Sequence, residues 1–390
     1  MEFLFEDSML VLAGGFFVAA AGLGCLYLLI GAIVILWHGR GREAEAVVAP
    51  QPVTILKPLY GDEPGLFDRL KSFCTQDYGA PVQVVFGVQD HDDPAIETVR
   101  RLQAALPDAM IDLKIDERAH GSNRKISNVV NMVTLARHSI IVLSDSDIEV
   151  GPHYLRAVIG ELQRPGVGLV TCLYHGTAEG TAWSQLERIG VDTHFLPNAV
   201  TAIRLGLADP CFGSTMALRL ETLNRIGGFQ AFADCLADDH AIGDAIRAGG
   251  QRIAMPSFSV GHACRQRTLA DVVLDDLRCA RTIRNIDPVG HLGSVITHPL
   301  PLALIGLALG SMDGLLMALI ALTCRAALCR CVERVFGLSR HSYWLIPVRD
   351  ILAFLVYLAS FFGSGVNWRG YRYRVLSNGR LIQESPTVQS

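Results

Sequence analysis

Carboxylates follow two predicted β-strands of this sequence at the points where the strands end. The apolar, mostly β-branched run Ile140–Leu143 predicts a buried strand, and it leads directly to Asp145 and Asp147. A second apolar run, Val82–Val88, is followed by three more acidic residues, which are Asp90, Asp92 and Asp93. The carboxyl ends of parallel strands form the crevice in which open α/β sheets bind ligands. A single Asp-x-Asp is usually a solvated turn, but two acidic strand ends together favour a site where Mg²⁺ or Mn²⁺ bridges carboxylates to a diphosphate.

A further acidic pair, Asp238 and Asp239, opens a predicted helix that Gly249 and Gly250 close. Acidic residues in a first turn also stabilise the helix dipole, so this pair has an ordinary structural explanation as well. A helical stretch that is rich in arginine then follows, and its arginines are Arg265, Arg278, Arg281 and Arg284. A solvated or membrane-facing surface would account for these arginines equally well.

The chemistry-bearing residues lie in a region, residues 50–290, where strand and helix patterns alternate. The predicted strands include Val53–Leu56, Val82–Val88, Met110–Ile115, Ile140–Leu143, Val167–Leu173 and Ser214–Leu218. The predicted helices include Leu66–Phe73, Ala95–Leu106 and Ile126–Ala136. Alternation of this kind predicts a mostly parallel sheet with helices on both faces, which is an α/β domain.

The composition indicates that membrane segments flank this domain. Of the 390 residues, half are hydrophobic and only 18% are charged, which excludes an ordinary soluble enzyme. Residues 9–37 carry no charge and predict a retained transmembrane anchor. Residues 292–366 predict C-terminal membrane segments, namely a hairpin with a turn at Ser311–Gly314 and a last short run at Ile351–Val366. That last run is expected to be re-entrant or interfacial, although it could also span.

Charges around the first apolar segment predict its orientation. Glu2, Glu6 and Asp7 precede it, whereas Arg40 and Arg42 follow it, so the positive-inside rule places the domain of residues 50–290 in the cytoplasm. We therefore expect a multi-pass protein of the inner (cytoplasmic) membrane.

The remaining composition narrows the classes of ligand and partner. A net charge of −4 without a basic run argues against binding to nucleic acid. Ten cysteines without a disulfide spacing fit reduced thiols. The pair Cys329-x-Cys331 lacks the second pair of ligands that a zinc site needs.

Several stretches, spread over nearly the whole chain, resemble a known family. They are Ile55–Leu59, Val88–Ile96, Lys125–Asn128, Asp145–Asp147, Ala237–Asp239 and Asn367–Arg374. In these stretches the chain resembles the ceramide glucosyltransferases and their bacterial relatives, including the hopanoid-biosynthesis-associated glycosyltransferases. The stretches Arg281–Arg284 and Gly293–His298 look more like the hopanoid branch.

The resemblance implies a fold, a reaction and a set of site residues. The fold is a Rossmann-like nucleotide-diphospho-sugar transferase domain of the GT-A type, flanked by transmembrane helices. The reaction is the inverting transfer of a hexose, glucose or N-acetylglucosamine, from a UDP-sugar to a hydroxyl of a lipid acceptor, a hopanoid or a ceramide. The implied residues are Asp239 as catalytic base, Asp145 and Asp147 on a Mg²⁺ or Mn²⁺ ion, Asp90, Asp93, Lys125 and Arg278 at the nucleotide-sugar, and His194, Cys211 and Cys279 on the acceptor side.

One departure from the family pattern leaves a second function open. The family usually carries Gln or Arg, two variable residues and then Arg-Trp, whereas this chain has Asp275 at the first position and Arg278-Cys279 at the last two. Loss of the aromatic residue favours, as the alternative, a catalytically silent, membrane-anchored nucleotide-sugar binding protein. A processive polysaccharide synthase is disfavoured because the predicted spans are too few to build a polymer channel.

Overall fold

A computed structural model describes residues 2–40, 49–363, 365–368, 371–375 and 381–386. Part of the C-terminal stretch Asn367–Arg374 lies outside these residues. The helices are α1 (Glu2–Arg40), α2 (Leu66–Cys74), α3 (Ala95–Ala105), α4 (Arg124–Val133), α5 (Tyr154–Leu162), α6 (Ala182–Gly190), α7 (Leu196–Arg204), α8 (Leu220–Arg225), α9 (Asp238–Ala248), α10 (Leu269–Ile286), α11 (Pro288–Gly293), α12 (Pro299–Ala308), α13 (Asp313–Phe336) and α14 (Ile346–Ser360).

The strands alternate with the helices over the middle of the chain. They are β1 (Val53–Pro58), β2 (Val82–Val88), β3 (Met110–Ile115), β4 (Ile140–Leu143), β5 (Ile148–Glu149), β6 (Val167–Val170), β7 (Leu173–Ala178), β8 (Met216–Arg219), β9 (Arg252–Ala254), β10 (Ser259–Cys264), β11 (Gly365–Trp368), β12 (Tyr371–Val375) and β13 (Leu381–Pro386).

The chain divides into two compact units. The sheet unit comprises residues 42–177, 209–263 and 367–390. The helical unit comprises residues 1–41, 178–208 and 264–366. The boundaries predicted from sequence differ from these, because residues 178–208 and 264–290 belong to the helical unit although they lie within the predicted α/β domain.

The sheet unit is built on a mixed β-sheet. Within the described residues, seven strands form this sheet in the order β3-β2-β1-β4-β8-β6-β9. Strand β1 pairs in parallel with both β2 and β4, whereas β8 runs antiparallel to β4 and β6. Since most neighbouring strands are parallel, the predicted α/β class is confirmed. The reversed strand β8 brings the segment before it to the same edge as the carboxyl end of β4.

Both faces of this sheet are covered by apolar packing, as predicted. Alternate side chains of β1 point to opposite faces, so Ile55 belongs to one buried cluster and Leu56 to the other. The Ile55 cluster includes buried residues of α2, α3 and α5, and the Leu56 cluster includes residues of α4 and α9. Strands that are buried on both faces are predominantly apolar, which explains the unbroken run Ile140–Leu143 in β4.

The helical unit contains the segments that could cross a membrane. Among the described residues, three helices are long and apolar enough, namely Met9–Arg40, Asp313–Phe336 and Tyr343–Ser360. A fourth candidate is the helix pair Pro288–Thr297 and Pro299–Ala308, which is bent by 68°. Helices α1 and α12 approach each other through glycines: a Cβ atom on Gly306 would lie 2.8 Å from Val18 and 3.0 Å from the carbonyl oxygen of Gly14. Small residues at such contacts are typical of helix packing in membranes.

The last apolar helix is longer at its N-terminus than the sequence predicts. The predicted apolar run begins at Ile351, just after the charged residues Arg349 and Asp350, whereas α14 already begins at Ile346. Both charged side chains are buried and ion-paired, Arg349 with Asp276 and Asp350 with Arg325. At its other end the helix stops at Ser360 rather than at Val366. Whether it spans or re-enters stays a prediction.

Candidate active site

A buried lysine stabilises the acidic loop that follows β4. Lys57, in β1, is fully buried, and its ammonium donates hydrogen bonds to the carbonyl oxygens of Asp145 and Ile148 and to the hydroxyl of Ser144. The ammonium also lies 3.9 Å from the ring centre of Phe73. Burial lowers the pKa of Lys57 to about 7, although the carboxylates of the loop oppose the shift. Lys57 therefore fixes the path of the loop that carries the two predicted metal ligands.

A second lysine lies among the carboxylates themselves. Asn123 caps the N-terminus of α4 by accepting a hydrogen bond from the backbone of Ile126, at 3.1 Å, which places Lys125 in the first turn. The ammonium of Lys125 lies 2.8 Å from Asp145 Oδ1 and 3.0 Å from Asp238 Oδ2. Burial alone would lower the pKa of Lys125, but the carboxylates of Asp145, Asp238 and Asp239 outweigh it and raise the pKa above its ordinary value.

Asp239 is held by backbone groups rather than by a cation. Its Oδ2 accepts a hydrogen bond from the N–H of Gly213, at 3.0 Å, and its Oδ1 accepts one from the N–H of His240, at 2.8 Å. Burial, and then the negative charge of Asp238, raise the pKa of Asp239 to about 6. A carboxylate with a raised pKa that remains ionised near neutral pH is suited to accept a proton.

A glycine allows these groups to converge. A Cβ atom on Gly213 would lie 2.7 Å from Asp145 Oδ2 and 3.3 Å from Lys125 Nζ, so a larger residue would displace both charges. The N–H of Gly213 holds Asp239, and its carbonyl accepts a hydrogen bond from the N–H of Asp145, at 3.3 Å. We name Lys125, Asp145, Asp238 and Asp239 the acidic cluster.

Asp147 lies on the far side of the loop. Its Oδ2 is 3.5 Å from Nε2 of His262, in β10. Burial would raise the pKa of Asp147, but His262 overcomes this effect and the pKa falls below its ordinary value. Asp145 and Asp147 thus present carboxylate oxygens, which are the ligands that Mg²⁺ and Mn²⁺ prefer. The acidic cluster contains three carboxylates and one lysine, so its net charge is negative when all four groups are ionised.

A recess lies beside the ends of β1 and β2. It is partly open to solvent, and its lining residues are Leu59, Tyr60, Gln89, Asp90, Arg124 and Asn128. Asp90 is exposed there, whereas Asp93 is buried and accepts hydrogen bonds from the backbone N–H groups of Gly61 and Ala95, at 2.9–3.1 Å. Asp93 therefore fixes the segment that carries Tyr60, and Asp90 is the carboxylate available to a ligand.

The other predicted site residues are distributed between the two units. Cys211, in the sheet unit, is buried in the apolar cluster that includes Leu56. Arg278 and Cys279 lie on α10 of the helical unit, where Cys279 is exposed and Arg278 is 3.9 Å from Asp275. His194, also in the helical unit, lies 2.8 Å from Asp350 through Nε2.

His194 belongs to a buried ionic network of the helical unit. Arg325 and Asp350 are buried and lie 3.2 Å apart, and Arg325 also donates to the carbonyl oxygens of Thr193 and Thr297. Burial, together with the positive charge of Arg325, lowers the pKa of His194 to about 4, so the imidazole is neutral at physiological pH. We name His194, Arg325 and Asp350 the paired network, because its one cation is matched by one anion.

Several residues of the site are absent from the sequence-based prediction. The sequence alone explains Asp238 by the helix dipole, whereas in the structure its carboxylate pairs with the ammonium of Lys125. Lys57 could have been identified from the sequence, because a lysine in an otherwise apolar strand is rarely buried without a specific partner. Gly213 and His262 could not have been identified in this way, because the site residues that they contact lie far from them in the sequence.

Comparison with known proteins identifies related sequences and folds. A sequence model of glycosyl transferase family 21 matches residues 19–381. Ceramide glucosyltransferase 1 of Caenorhabditis elegans is 25% identical over 272 residues, which cover 68% of this chain and 55% of that protein. The ceramide glucosyltransferase of Candida albicans is 28% identical over 130 residues, which cover 30% of this chain and 24% of that protein. The matches thus extend over about half, or less, of these relatives' length.

The similar solved structures are more distant. The mannosyltransferase PcManGT from Pyrobaculum calidifontis, in complex with GDP-Man and Mn²⁺, has a TM-score of 0.48 and 20% identity, and the match covers 89% of this chain and 99% of that one. Glucosyl-3-phosphoglycerate synthase from Mycobacterium tuberculosis, with Mn²⁺, UDP and phosphoglyceric acid, has a TM-score of 0.38 and 15% identity, covering 64% and 80% of the two chains.

Proposed function

This chain belongs to glycosyl transferase family 21, and from that membership we propose that it transfers a hexose from a UDP-sugar to a hydroxyl of a membrane lipid, with inversion. The family predicted from the sequence motifs is confirmed, as is the α/β nucleotide-sugar transferase fold with membrane-type helices. Glucose or N-acetylglucosamine as the sugar, and a hopanoid or ceramide as the acceptor, remain parts of the proposal.

The observation that carries the proposal is the acidic cluster at the carboxyl end of β4. Asp239 is proposed as the base that removes the proton of the acceptor hydroxyl, since its pKa of about 6 leaves it ionised at neutral pH. A base of this kind typically contributes about 10²–10⁴-fold in rate. Asp238 neutralises Lys125 and is assigned no proton transfer.

The donor is proposed to bind along the recess and the acidic loop. Asp90 faces the recess and is assigned to the nucleoside, while Asp93 acts by fixing the neighbouring segment. Asp145 and Asp147 would hold a Mg²⁺ or Mn²⁺ ion, which neutralises the charge that develops on a leaving diphosphate. Lys125 is assigned to the same phosphates, since its ammonium lies 2.8 Å from Asp145.

Four further assignments rest on the resemblance of sequence alone. Arg278 is proposed to stabilise the departing UDP, as guanidinium groups do for phosphates. His194, Cys211 and Cys279 are proposed on the acceptor side, although burial of Cys211 and the ion pair of His194 are also explained by packing.

The experiment that tests the proposal measures UDP release by the purified chain in detergent. UDP-glucose and UDP-N-acetylglucosamine are each supplied with and without a ceramide or a hopanoid bearing a free hydroxyl. We expect UDP release that depends on the acceptor and matches the glycolipid found by mass spectrometry. The alternative, a silent binding protein, is favoured by Cys279 in place of the aromatic residue. It predicts that UDP-sugar binds but that no acceptor releases UDP.

We also propose a cytoplasmic catalytic domain in the inner membrane, and thiol labelling tests this orientation. In variants that retain only Cys74 or only Cys235, both half-buried in the sheet unit, a membrane-impermeant maleimide should label the protein after permeabilisation but not in intact cells. A Ser8→Cys variant of the same background, with its thiol before the first apolar run, should be labelled in intact cells. Labelling of Cys74 or Cys235 in intact cells would reverse the orientation.

A further inference from the structure

Three side chains of different chemistry converge in the helical unit, apart from every residue of the proposed reaction. Cys329 and Glu333 lie one turn apart near the end of α13, and all three side chains, including that of His341, are buried. Gly337, with φ of 69°, ends the helix in the left-handed conformation and lets the chain turn back, so that His341 faces the last turns of α13. The ligand atoms of the thiol, the carboxylate and the imidazole therefore lie close together in the protein interior.

The distances between the ligand atoms lie within a few tenths of an ångström of those around a tetrahedral metal. Sγ of Cys329 lies 3.6 Å from Nδ1 of His341 and 3.9 Å from Oε1 of Glu333, and Nδ1 lies 3.0 Å from Oε1. Around a tetrahedral zinc ion with bonds of about 2.0–2.3 Å, such atoms are separated by about 3.3–3.6 Å. Movements of a few tenths of an ångström would bring all three atoms to bonding distance of one ion.

Neighbouring groups orient two of the three ligands, His341 and Glu333. Nε2 of His341 donates a hydrogen bond to Oδ2 of Asp192, at 2.8 Å, which leaves Nδ1 for the shared point. A carboxylate on the second nitrogen is the usual support of a metal-binding histidine. Oε2 of Glu333 accepts hydrogen bonds from Tyr343 and Arg330, each at 3.0 Å, so Oε1 is the oxygen directed at the cysteine and the histidine.

We propose that Cys329, Glu333 and His341 bind a Zn²⁺ ion, with a water molecule in the fourth position. A thiolate, an imidazole and a carboxylate form a donor set that zinc prefers over Mg²⁺ or Mn²⁺. The thiolate and the carboxylate neutralise the two charges of the ion. Binding releases the thiol proton of Cys329 and any proton on Nδ1 of His341 to solvent. The zinc ties the end of α13 to the segment that begins at His341.

A network without metal would make several of the same contacts. An imidazolium at His341 can bridge Asp192 and Glu333 by two hydrogen bonds. In that arrangement the thiol of Cys329 stays protonated and donates a weak hydrogen bond to Oε1 of Glu333, at 3.9 Å, and no ion is bound. The two arrangements therefore differ in their metal content and in whether the sulfur of Cys329 binds a metal.

The experiment measures metal content in the full chain, purified in detergent without chelators from cells grown with zinc. Elemental analysis should find about one zinc per chain. Cys329→Ala and His341→Ala should lose the zinc, and Asp192→Asn should weaken its affinity by about 10–100-fold. Cys331→Ser is the matched control, since Cys331 lies two residues away on the same helix and outside the cluster. It should retain the zinc.

Cobalt provides a readout that does not depend on the folding of any variant. When Co²⁺ replaces zinc in the unaltered chain, a thiolate-to-cobalt charge-transfer band should appear. Absence of both zinc and this band would overturn the proposal, as would full zinc content in Cys329→Ala. Loss of zinc in Asp145→Asn would assign the ion to the acidic cluster and also overturn it. None of these measurements uses glycosyl transfer, so the outcome is independent of the proposed function.

Discussion

The two units contain buried charges that are balanced in different ways. In the acidic cluster of the sheet unit, Lys125 faces Asp145 and Asp238 directly, with Asp239 close by. In the paired network of the helical unit, Arg325 meets a single carboxylate, that of Asp350, and its remaining donors bind backbone carbonyls. The acidic cluster therefore has an excess of negative charge, whereas the paired network has no excess of either charge.

This difference distinguishes a site that needs a ligand from a contact that serves the fold. Burying a charge without a partner is costly, so an uncompensated carboxylate in a crevice is a candidate for binding a cation or a proton. A matched pair has no such need, but removing one member leaves the other buried and unpaired. Variants of the acidic cluster should therefore change activity first, and variants of the paired network should change stability first.

The largest effect on activity is expected for Asp239→Asn. Asparagine keeps an oxygen that can accept a hydrogen bond from Gly213 but cannot take a proton, so transfer should fall by about 100-fold or more. Binding of UDP-sugar, measured by calorimetry, should stay near normal. Asp238→Asn is the control, and its transfer rate should fall far less. Equal losses in the two variants, or unfolding of Asp239→Asn, would contradict the assignment of the base.

A comparably large effect, but on stability, is expected for Arg325→Met. The variant leaves Asp350 buried without its cation, which should lower the free energy of unfolding by about 3–5 kcal/mol. In the double variant Arg325→Met, Asp350→Leu both charges are gone, so much of this loss should be recovered. Thermal unfolding in detergent measures both. A double variant as unstable as the single one would show that the pair is not the cause.

A smaller effect is expected for Asp145→Asn. It removes one predicted metal ligand and one partner of Lys125, so activity and UDP-sugar affinity should fall together, each by about tenfold or more. Excess EDTA should reproduce the loss of activity, and added Mn²⁺ or Mg²⁺ should restore it. Unchanged turnover in EDTA would exclude the metal role of Asp145 and Asp147.

The smallest effect is a dependence of rate on pH. Because the pKa of Asp239 is raised to about 6, the base becomes protonated as the pH falls, and the rate should drop about tenfold from pH 7 to pH 5. Protonation at Asp239 does not unfold the chain, since a carboxyl whose pKa is raised by folding favours the folded state at lower pH. Unfolding curves at both pH values are the control. A rate that stays constant down to pH 5 would contradict the assignment.

The sequence predicts the elements of the sheet unit better than the contacts between them. Runs such as Val82–Val88 are apolar over their whole length, and the structure has the strand with the same bounds. The direction of β8 could not be predicted, because a four-residue strand carries no signal of its partner. The pairing of Lys125 with Asp238 also depends on tertiary packing, since α4 and α9 share no local pattern.

The same limit applies to the helical unit. The spacing of Cys329 and Glu333 is visible as one turn of a helix, but the third side chain, His341, depends on how the chain turns at Gly337. The helix α14 includes the charged residues Arg349 and Asp350, which lie before the predicted apolar run, and a sequence does not show which charges are paired. The position of His341 and the start of α14 therefore both depend on tertiary contacts that the sequence does not show.

The hydrogen bond between Lys125 and Asp238 also bears on how the protein is made, because it joins residues 113 positions apart. During synthesis, β1, β2, β3 and β4 can pair as soon as they leave the ribosome, whereas α9 is translated much later. Until then Lys125 has no partner in α9, and β4 has an open edge where β8 will pair. Contacts of such sequence separation form slowly. Chains interrupted before residue 216 would therefore expose the unpaired edge of β4 and would lack the Asp238 partner of Lys125, and we expect them to aggregate or be degraded rather than fold.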